Sequence, residues 1–470
     1  MVLRTFISTL TLGLVLAAHA SYDVRYTFVQ LTPSNGYPYN PQLTGMTSNG
    51  YMIGTQPGDI FGPPPPFMFV RTPQGDQVLS GPMGRAYDGN SEGTIVGYSG
   101  GQPCRWVGGS LQGFDLPAGF QRGLAQVVNE TGLSAGTVSY PLPNGYWVNL
   151  ACAWQGTNVH AFIDNLPGST QAEVKGINDL GVVIGRSYYS SVEDRGWVWD
   201  GTLTQLPAPS GTTMWNPEGI NNDGLIAGWT SDGSDDHPTT WQHGSYRVWP
   251  YSGQFYAVNN VGVLAGRANL TGVYEAALWV NEEAIHLPSL IDNVSGTGPV
   301  AATQVNDRGQ ILVSNGILNP RPVFSGTVEL DGFEGDLSSV EATIKVKSAG
   351  GVLFAQCKAV LSPSGAFSER LAVPSGACSV IVKAPGFLAV GSAANSTQDG
   401  ASGLSFSMLG GDIDDDNEVS IGDYAILSSA FGSSPGSPNW SRTADLNGDD
   451  AVDIADYAIL SANFGQVGED

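Results

Sequence analysis

A ten-residue pattern, written seven times, constrains this chain more than any other feature. GINNDGLIAGW begins at Gly219, INDLGVVIGR at Ile177, VNNVGVLAGR at Val258 and VNETGLSAGT at Val128. The common form is apolar-Asn-x-x-Gly-x-apolar-x-Gly, and its first glycine recurs at Gly50, Gly93, Gly132, Gly181, Gly224, Gly262 and Gly309. The spacings are 43, 39, 49, 43, 38 and 47 residues. Asn followed three residues later by Gly marks the first and last positions of a type I turn. Apolar residues on both sides make each copy a β-hairpin. Asn129, Asn178, Asn221, Asn259 and Asn306 are therefore read as turn residues and not as ligand binders.

A second element alternates with the first. Trp106, Trp154, Trp199, Trp241 and Trp279, with Phe69 in the equivalent place, each precede a short strand such as LTQL from Leu203 or AIHL from Ala284. Four short strands in about forty residues is the period of a propeller blade. Large rings recurring once per blade suit packing between neighbouring sheets. Residues 21–320 are thus expected to form a β-propeller of about seven blades in a mainly β, multi-domain protein. Its last strand, in ILVSNGIL from Ile311, is expected to complete the first blade at Tyr26–Leu31 and close the circle. The repeats resemble the probable extracellular HAF repeat family over about residues 25–320, which implies export.

Composition agrees with strands and turns. Only 13% of residues are charged, against 63 glycines and 29 prolines. The net charge of −24 argues against nucleic-acid partners and anionic membrane surfaces. Arg4, the apolar run Phe6–Ala18 and Ala18-His19-Ala20 read as a signal peptide over residues 1–20. No other run predicts a transmembrane segment, so the expected location is secreted or at the cell surface. No catalytic constellation emerges. His160, His237, His243 and His286 share no metal-ligand spacing, and no G-x-S-x-G elbow is present. SDDHPTTW, from Ser234, resembles a single sialidase Asp box with Pro238 in place of Gly, a structural element even in those enzymes.

The pattern changes at NPRPVF, Asn319–Phe324. Residues 321–408 hold seven strand-like runs: TVEL, ATIKVK, LFAQCKAVL, FSERLAV, CSVIVK, FLAV and LSFSM. They predict an immunoglobulin-like or transthyretin-like β-sandwich acting as a spacer. Cys357 shares a strand face with Ala355, Ala359 and Leu361, and Cys378 with Val380 and Val382. Two inward thiols in an oxidising compartment predict a Cys357–Cys378 disulfide. Cys104 and Cys152, on neighbouring repeats, read as buried thiols.

The most specific signal lies at residues 409–470. DIDDDNEVSIGD, from Asp412, and DLNGDDAVDIAD, from Asp445, both fit the twelve-residue calcium loop of an EF-hand. In the first loop the oxygen ligands would be Asp412, Asp414, Asp416, the Glu418 carbonyl, Ser420 through water, and Asp423. In the second they would be Asp445, Asn447, Asp449, the Ala451 carbonyl, Asp453 and Asp456. Two Ca2+ ions are expected. Residues 411–470 carry 13 acidic side chains and one basic one, Arg442. DYAILSSAFG, from Asp423, and DYAILSANFG, from Asp456, come next as helices with Tyr, Ile, Leu and Phe at helical spacing. A loop and helix duplicated without entering helices, with Asp at position 12, resembles the type I dockerin over about residues 410–466. Position 6, usually Gly, is Asn417 in one loop and Asp450 in the other.

The resemblance implies a cohesin-like protein partner, often within polysaccharide-degrading assemblies, chosen in part by loop positions 10 and 11. Those positions are Ile421 and Gly422, then Ile454 and Ala455. The function expected is a non-catalytic docking protein whose propeller meets a polysaccharide or cell-surface glycan. The alternative is a dockerin-anchored propeller glycoside hydrolase or lyase, which would need two opposed carboxylates.

Overall fold

The structure is a computed structural model that describes residues 22–32, 40–57, 67–72, 75–82, 84–190, 193–292, 298–314 and 316–469. The signal segment at residues 1–20 lies outside the described residues.

Each repeat folds as a four-stranded antiparallel unit. The second unit is Gly84–Gly89, Thr94–Ser99, Gln102–Val107 and Ser110–Gly113, and the sixth is Gly253–Val258, Leu264–Asn269, Tyr274–Val280 and Glu283–His286. Single parallel pairs, Asn149 with Gln171 and Asp194 with Met214, join the third, fourth and fifth units into one twelve-stranded sheet. The repeat glycines sit where the turn demands a left-handed backbone, with φ between 73° and 88° at all seven.

The turn asparagines do more than close hairpins. Each side-chain oxygen accepts from a backbone N–H four residues on, as Asn178 Oδ1 does from Val182. Each side-chain amide donates to the next unit. Asn90 reaches the Asn129 carbonyl, Asn129 that of Asn178, Asn178 that of Asn221, Asn221 that of Asn259, and Asn259 that of Asn306, all at 2.9–3.1 Å. Asn306 donates to Ser48 at 3.2 Å, and Asn49 to Ser91 at 3.4 Å. The hydrogen bonds thus form a closed circuit through all seven turns. In the first copy Thr47 replaces the asparagine and accepts from Tyr51 N–H instead.

Closure brings together the two ends that the sequence pairs. Tyr26–Gln30, from the start of the chain, pairs with Gly316–Pro320 and supplies the outer strand of the seventh unit, which takes its other three strands from the end of the repeats. Trp106, Trp154, Trp241 and Trp279 are buried as expected. In the fourth unit the fully buried ring is Trp197, opposite Gly185, while Trp199 is half-buried. Indole N–H groups of Trp106, Trp154 and Trp241 donate to carbonyls of the preceding connections, Ser80, Asp115 and Pro207.

Asp88 accepts the Val128 N–H of the neighbouring unit at 3.0 Å. Burial pushes its carboxyl up to about 7, against the pull of that hydrogen bond. The unfolded chain releases this proton near pH 4 and the folded chain only near 7, so the folded state holds more protons between them. Stability carried by Asp88 is expected to fall as pH rises through that window. Thermal melts should drop by about 2–4 °C from pH 5 to pH 8 beyond the slope of an Asp88→Asn variant. Parallel slopes for the two proteins would refute the assignment.

Two sheets build the next domain: Ala366–Arg370, Val323–Leu330 and Gly400–Met408 face Leu353–Val360, Glu341–Ser348, Gly376–Lys383 and Val390–Ser396 across one core. The sixth strand lies further along the chain than its sequence pattern suggests. FLAV contributes only its last residue to Val390–Ser396, a Gly, Ser, Ala and Asn strand at the sheet edge. Gly386–Phe387 instead pairs with Gly410–Asp412.

The expected Cys357–Cys378 disulfide is not formed; both thiols are free and buried. Their strands flank the same central strand, with Cys357 opposite Ile344 and Cys378 opposite Ser348. Two strand spacings, about 10 Å, separate them before the four-residue offset is added, beyond the reach of a bridge. Sharing an inward face was therefore insufficient. Burial pushes the Cys357 thiol up to about 12, and Cys104 and Cys152 likewise.

Candidate metal centre and docking face

The acidic loops and their helices form one small core with the end of the sandwich. Leu427 and Ala430 of helix α1 (Ile421–Ala430), and Leu460 of helix α2 (Ile454–Asn463), pack with Val419, Val452, Leu446 and Leu388. Both helices start two residues before the sequence placed them. The reason is a capping box in each: Ser420 with Asp423, and Asp453 with Asp456. Loop positions 9 and 12 thus hold the first helical turn. Asp423 accepts from Ile413 N–H at 2.6 Å and Ser420 N–H at 2.7 Å; Asp456 accepts from Leu446 and Asp453 N–H at 2.7 and 2.8 Å.

Position 6 confirms the need for a left-handed residue, with φ of 70° at Asn417 and 67° at Asp450. Asn and Asp tolerate that region better than other non-glycine residues. In the first loop Asp412, Asp414 and Asp416 each bring one carboxylate oxygen within 4.8 Å of the others. Asp412 is fully buried, and its Oδ1 has no hydrogen-bond partner. A buried anionic oxygen without a donor fits a hard cation. Burial raises the Asp412 carboxyl above its ordinary value against the pull of Lys383. Burial, then repulsion from Asp423, raises Asp414. The second loop is tied internally: Asp445 accepts from Gly448, Asp449 and Asp450 N–H, and Asn447 donates to Asp449. Ser420 and Asp453 accept from Gly422 and Ala455 N–H as helix caps. Glu418 and Ala451 occupy the positions whose carbonyls the motif would use.

Sequence reasoning missed the cations behind the loops. Lys383, from the sandwich, lies 2.8 Å from Asp412 Oδ2 and 2.6 Å from Asp415 Oδ1. Arg442 lies 3.4 Å from Asp445 Oδ2. Arg442 was legible as the one basic residue of the segment, whereas nothing local marks Lys383.

The positions read as partner contacts are turned to solvent. Ile421 is 71% and Ile454 68% exposed; Ala455 is exposed and Gly422 half-buried. Tyr424, Phe431, Tyr457 and Phe464 are also exposed, so of the apolar residues at helical spacing the leucines, Leu427 and Leu460, are the buried ones. The two tyrosine rings meet edge to face at 6.1 Å. The exposed apolar residues thus come in equivalent places, one from each repeat.

Among the described residues no helix is long and apolar enough to cross a membrane. No curated protein matches this chain. A cohesin–X-dockerin complex from Acetivibrio cellulolyticus is 24% identical over 31% of this chain and 97% of its own, at a TM-score of 0.26. A neuraminidase-like protein of an influenza virus from the flat-faced bat is 10% identical over 63% and 92%, at 0.34. A Hadza microbial sialidase is 11% identical over 48% and 62%, at 0.30. Similarity this loose carries no weight on activity. The family model for the dockerin type I domain matches residues 410–465, a stretch that excludes the N-terminal repeats. The chain therefore carries a dockerin type I domain at residues 410–465.

Proposed function

We propose that this protein is an exported, non-catalytic docking module. Its dockerin domain holds two calcium ions and binds a cohesin module, and residues 22–320 form a seven-bladed propeller that presents a ligand-binding platform. The observation that carries the docking reading is the duplicated apolar surface. Ile421 and Ile454, Tyr424 and Tyr457, and Phe431 and Phe464 lie open on a domain that has its own core. Exposed apolar residues clustered on a small domain commonly mark protein interfaces, and here the tyrosine pair is in contact. The closed circuit of turn asparagines supports the propeller. The twelve residues from Asp412 to Asp456 named for the two loops remain the proposed calcium ligands, supported by the unpartnered Asp412 Oδ1.

The carboxylates of the repeat units divide: burial raises Asp88, Asp194 and Glu218, whereas Glu173 is lowered. Burial pushes the Glu173 carboxyl up, but Lys175 and Arg186 outweigh it and hold the group below its usual value. A carboxylate clamped in this way is a poor proton donor for a leaving group.

Titration with a panel of purified cohesin modules tests the docking reading. Capture of at least one module in calcium, abolished by chelator, is expected. Failure of every module to bind in calcium would overturn it.

A further inference from the structure

Every unit of the propeller carries a β-bulge at the same place. The register of the innermost strand skips one residue between Leu43 and Gly45, Ala86 and Asp88, Ala125 and Val127, and Val174 and Gly176. It does so again between Pro217 and Gly219, Phe255 and Ala257, and Ala302 and Gln304. The skipped residue always lies three positions before the turn asparagine or its threonine equivalent. All seven skipped residues line one central cavity of about 570 Å3, a size usual for small-ligand sites. Bulges re-aim side chains and concentrate beside functional sites.

The turn asparagines repeat because each does the same job. The bulged residues differ from unit to unit, and all of them can hydrogen-bond: Tyr87, Gln126, Lys175, Glu218 and Tyr256, with threonines in the first and seventh units. Packing alone would be served by one residue type used repeatedly. The cavity lining is acidic, with Asp88, Glu130, Glu173, Asp179, Glu218 and Asp307 against Lys175, and part of that charge is paired. Lys175 Nζ lies 3.3 Å from Glu173 and 3.2 Å from Glu218, and Arg186 lies 2.8 Å from Glu173 and 3.2 Å from Asp194. An anion would meet this acidic ring, while each of its carboxylates already accepts from Lys175 or from neutral donors of the neighbouring turns. Gln304 Oε1, on the cavity wall, is buried without a partner. A neutral ligand rich in hydroxyl groups answers mixed donors and acceptors, and phenol rings provide faces for its C–H groups.

We infer that the seven bulged residues form the binding site of a neutral saccharide within the central cavity. This rests on the reading of the propeller as a ligand-binding platform and adds its place and ligand class.

Calorimetric titration of the whole chain in calcium tests the inference, with cellopentaose, xylopentaose and mannopentaose as neutral probes and pentagalacturonate as an acidic one. At least one neutral probe is expected to bind. Glu218→Gln and Gln126→Ala should each weaken it about tenfold or more at unchanged melting temperature. Gln126 stands outside the salt-bridge cluster, so it keeps the test decisive should Glu218→Gln unfold. The Ile421→Asp, Ile454→Asp double variant should bind the sugar normally. Undiminished binding by both cavity variants would overturn the site and leave the platform reading standing. Binding of the acidic probe alone would overturn the ligand class. Silence with all four probes, alongside normal cohesin capture, would overturn both the site and the platform reading while sparing the docking function.

Discussion

Changing Ile421 and Ile454 together to Asp is expected to weaken cohesin capture by about a hundredfold or more, the weight of central interface residues. Both side chains are more than two-thirds exposed, so the folded domain loses little when they change. In the complex each new carboxylate would be taken from water without a partner, which is strongly unfavourable. Either single variant should bind far better than the double one. The two repeats present equivalent surfaces, and one unaltered copy can serve if the domain docks in either orientation. Calorimetry with the captured cohesin module, alongside calcium titration of the same proteins, separates the effects. Calcium uptake should match the parent, since neither residue is a proposed ligand. Parental affinity in the double variant would show that the contact surface lies elsewhere.

Removing calcium should have the second large effect. The first loop gathers Asp412, Asp414 and Asp416 so closely that only a cation or protons can relieve their repulsion. Each site should contribute about 2.7 kcal/mol at a hundredfold excess of calcium over Kd. In chelator the whole chain is expected to lose protection around residues 410–469 first, seen as rapid hydrogen exchange or early proteolytic cleavage there. The strand pair Gly386–Phe387 and Gly410–Asp412 should loosen with it, because Asp412 belongs to both the strand and the loop. The turn circuit, far along the chain, should keep its protection. Superimposable exchange patterns with and without calcium would contradict this account.

Legibility in the sequence tracked the range of the interactions. The seven turns could be read because Asn, Gly and their spacing act within one hairpin. The first acidic cluster could be read because its carboxylates lie within five residues of one another. The meeting of the first and last strands could be read from the incomplete repeat at each end, but not the share of strands each end supplies, which depends on distant pairing. The Cys357–Cys378 expectation failed because alternation identifies a face, and only strand order identifies a neighbour. Lys383 could not be linked to Asp412 without the intervening turn of chain. The bulged tier was readable in hindsight. Its members hold a fixed offset from each turn, and the variety of residues there contrasts with the monotony of the asparagines beside them.

The sandwich is bonded both to the repeat units on its N-terminal side and to the dockerin domain on its C-terminal side. Gln356 donates to Asp307 at 2.7 Å, Arg308 pairs with Glu369, and Ala372 N–H reaches the Arg308 carbonyl. At its other end it shares Leu388 with the dockerin core, gives Lys383 to the first loop, and joins Glu334 N–H to the Asn447 carbonyl. Joints of this kind make it a stiff strut instead of a tether. A scaffold that grips the last sixty residues would hold the distant cavity at a set height and heading, like a lamp on a bracket. Such mounting forgoes the sweep of a flexible linker, so two copies on one scaffold would engage two targets together only where the spacing of the targets matches that of the mounts.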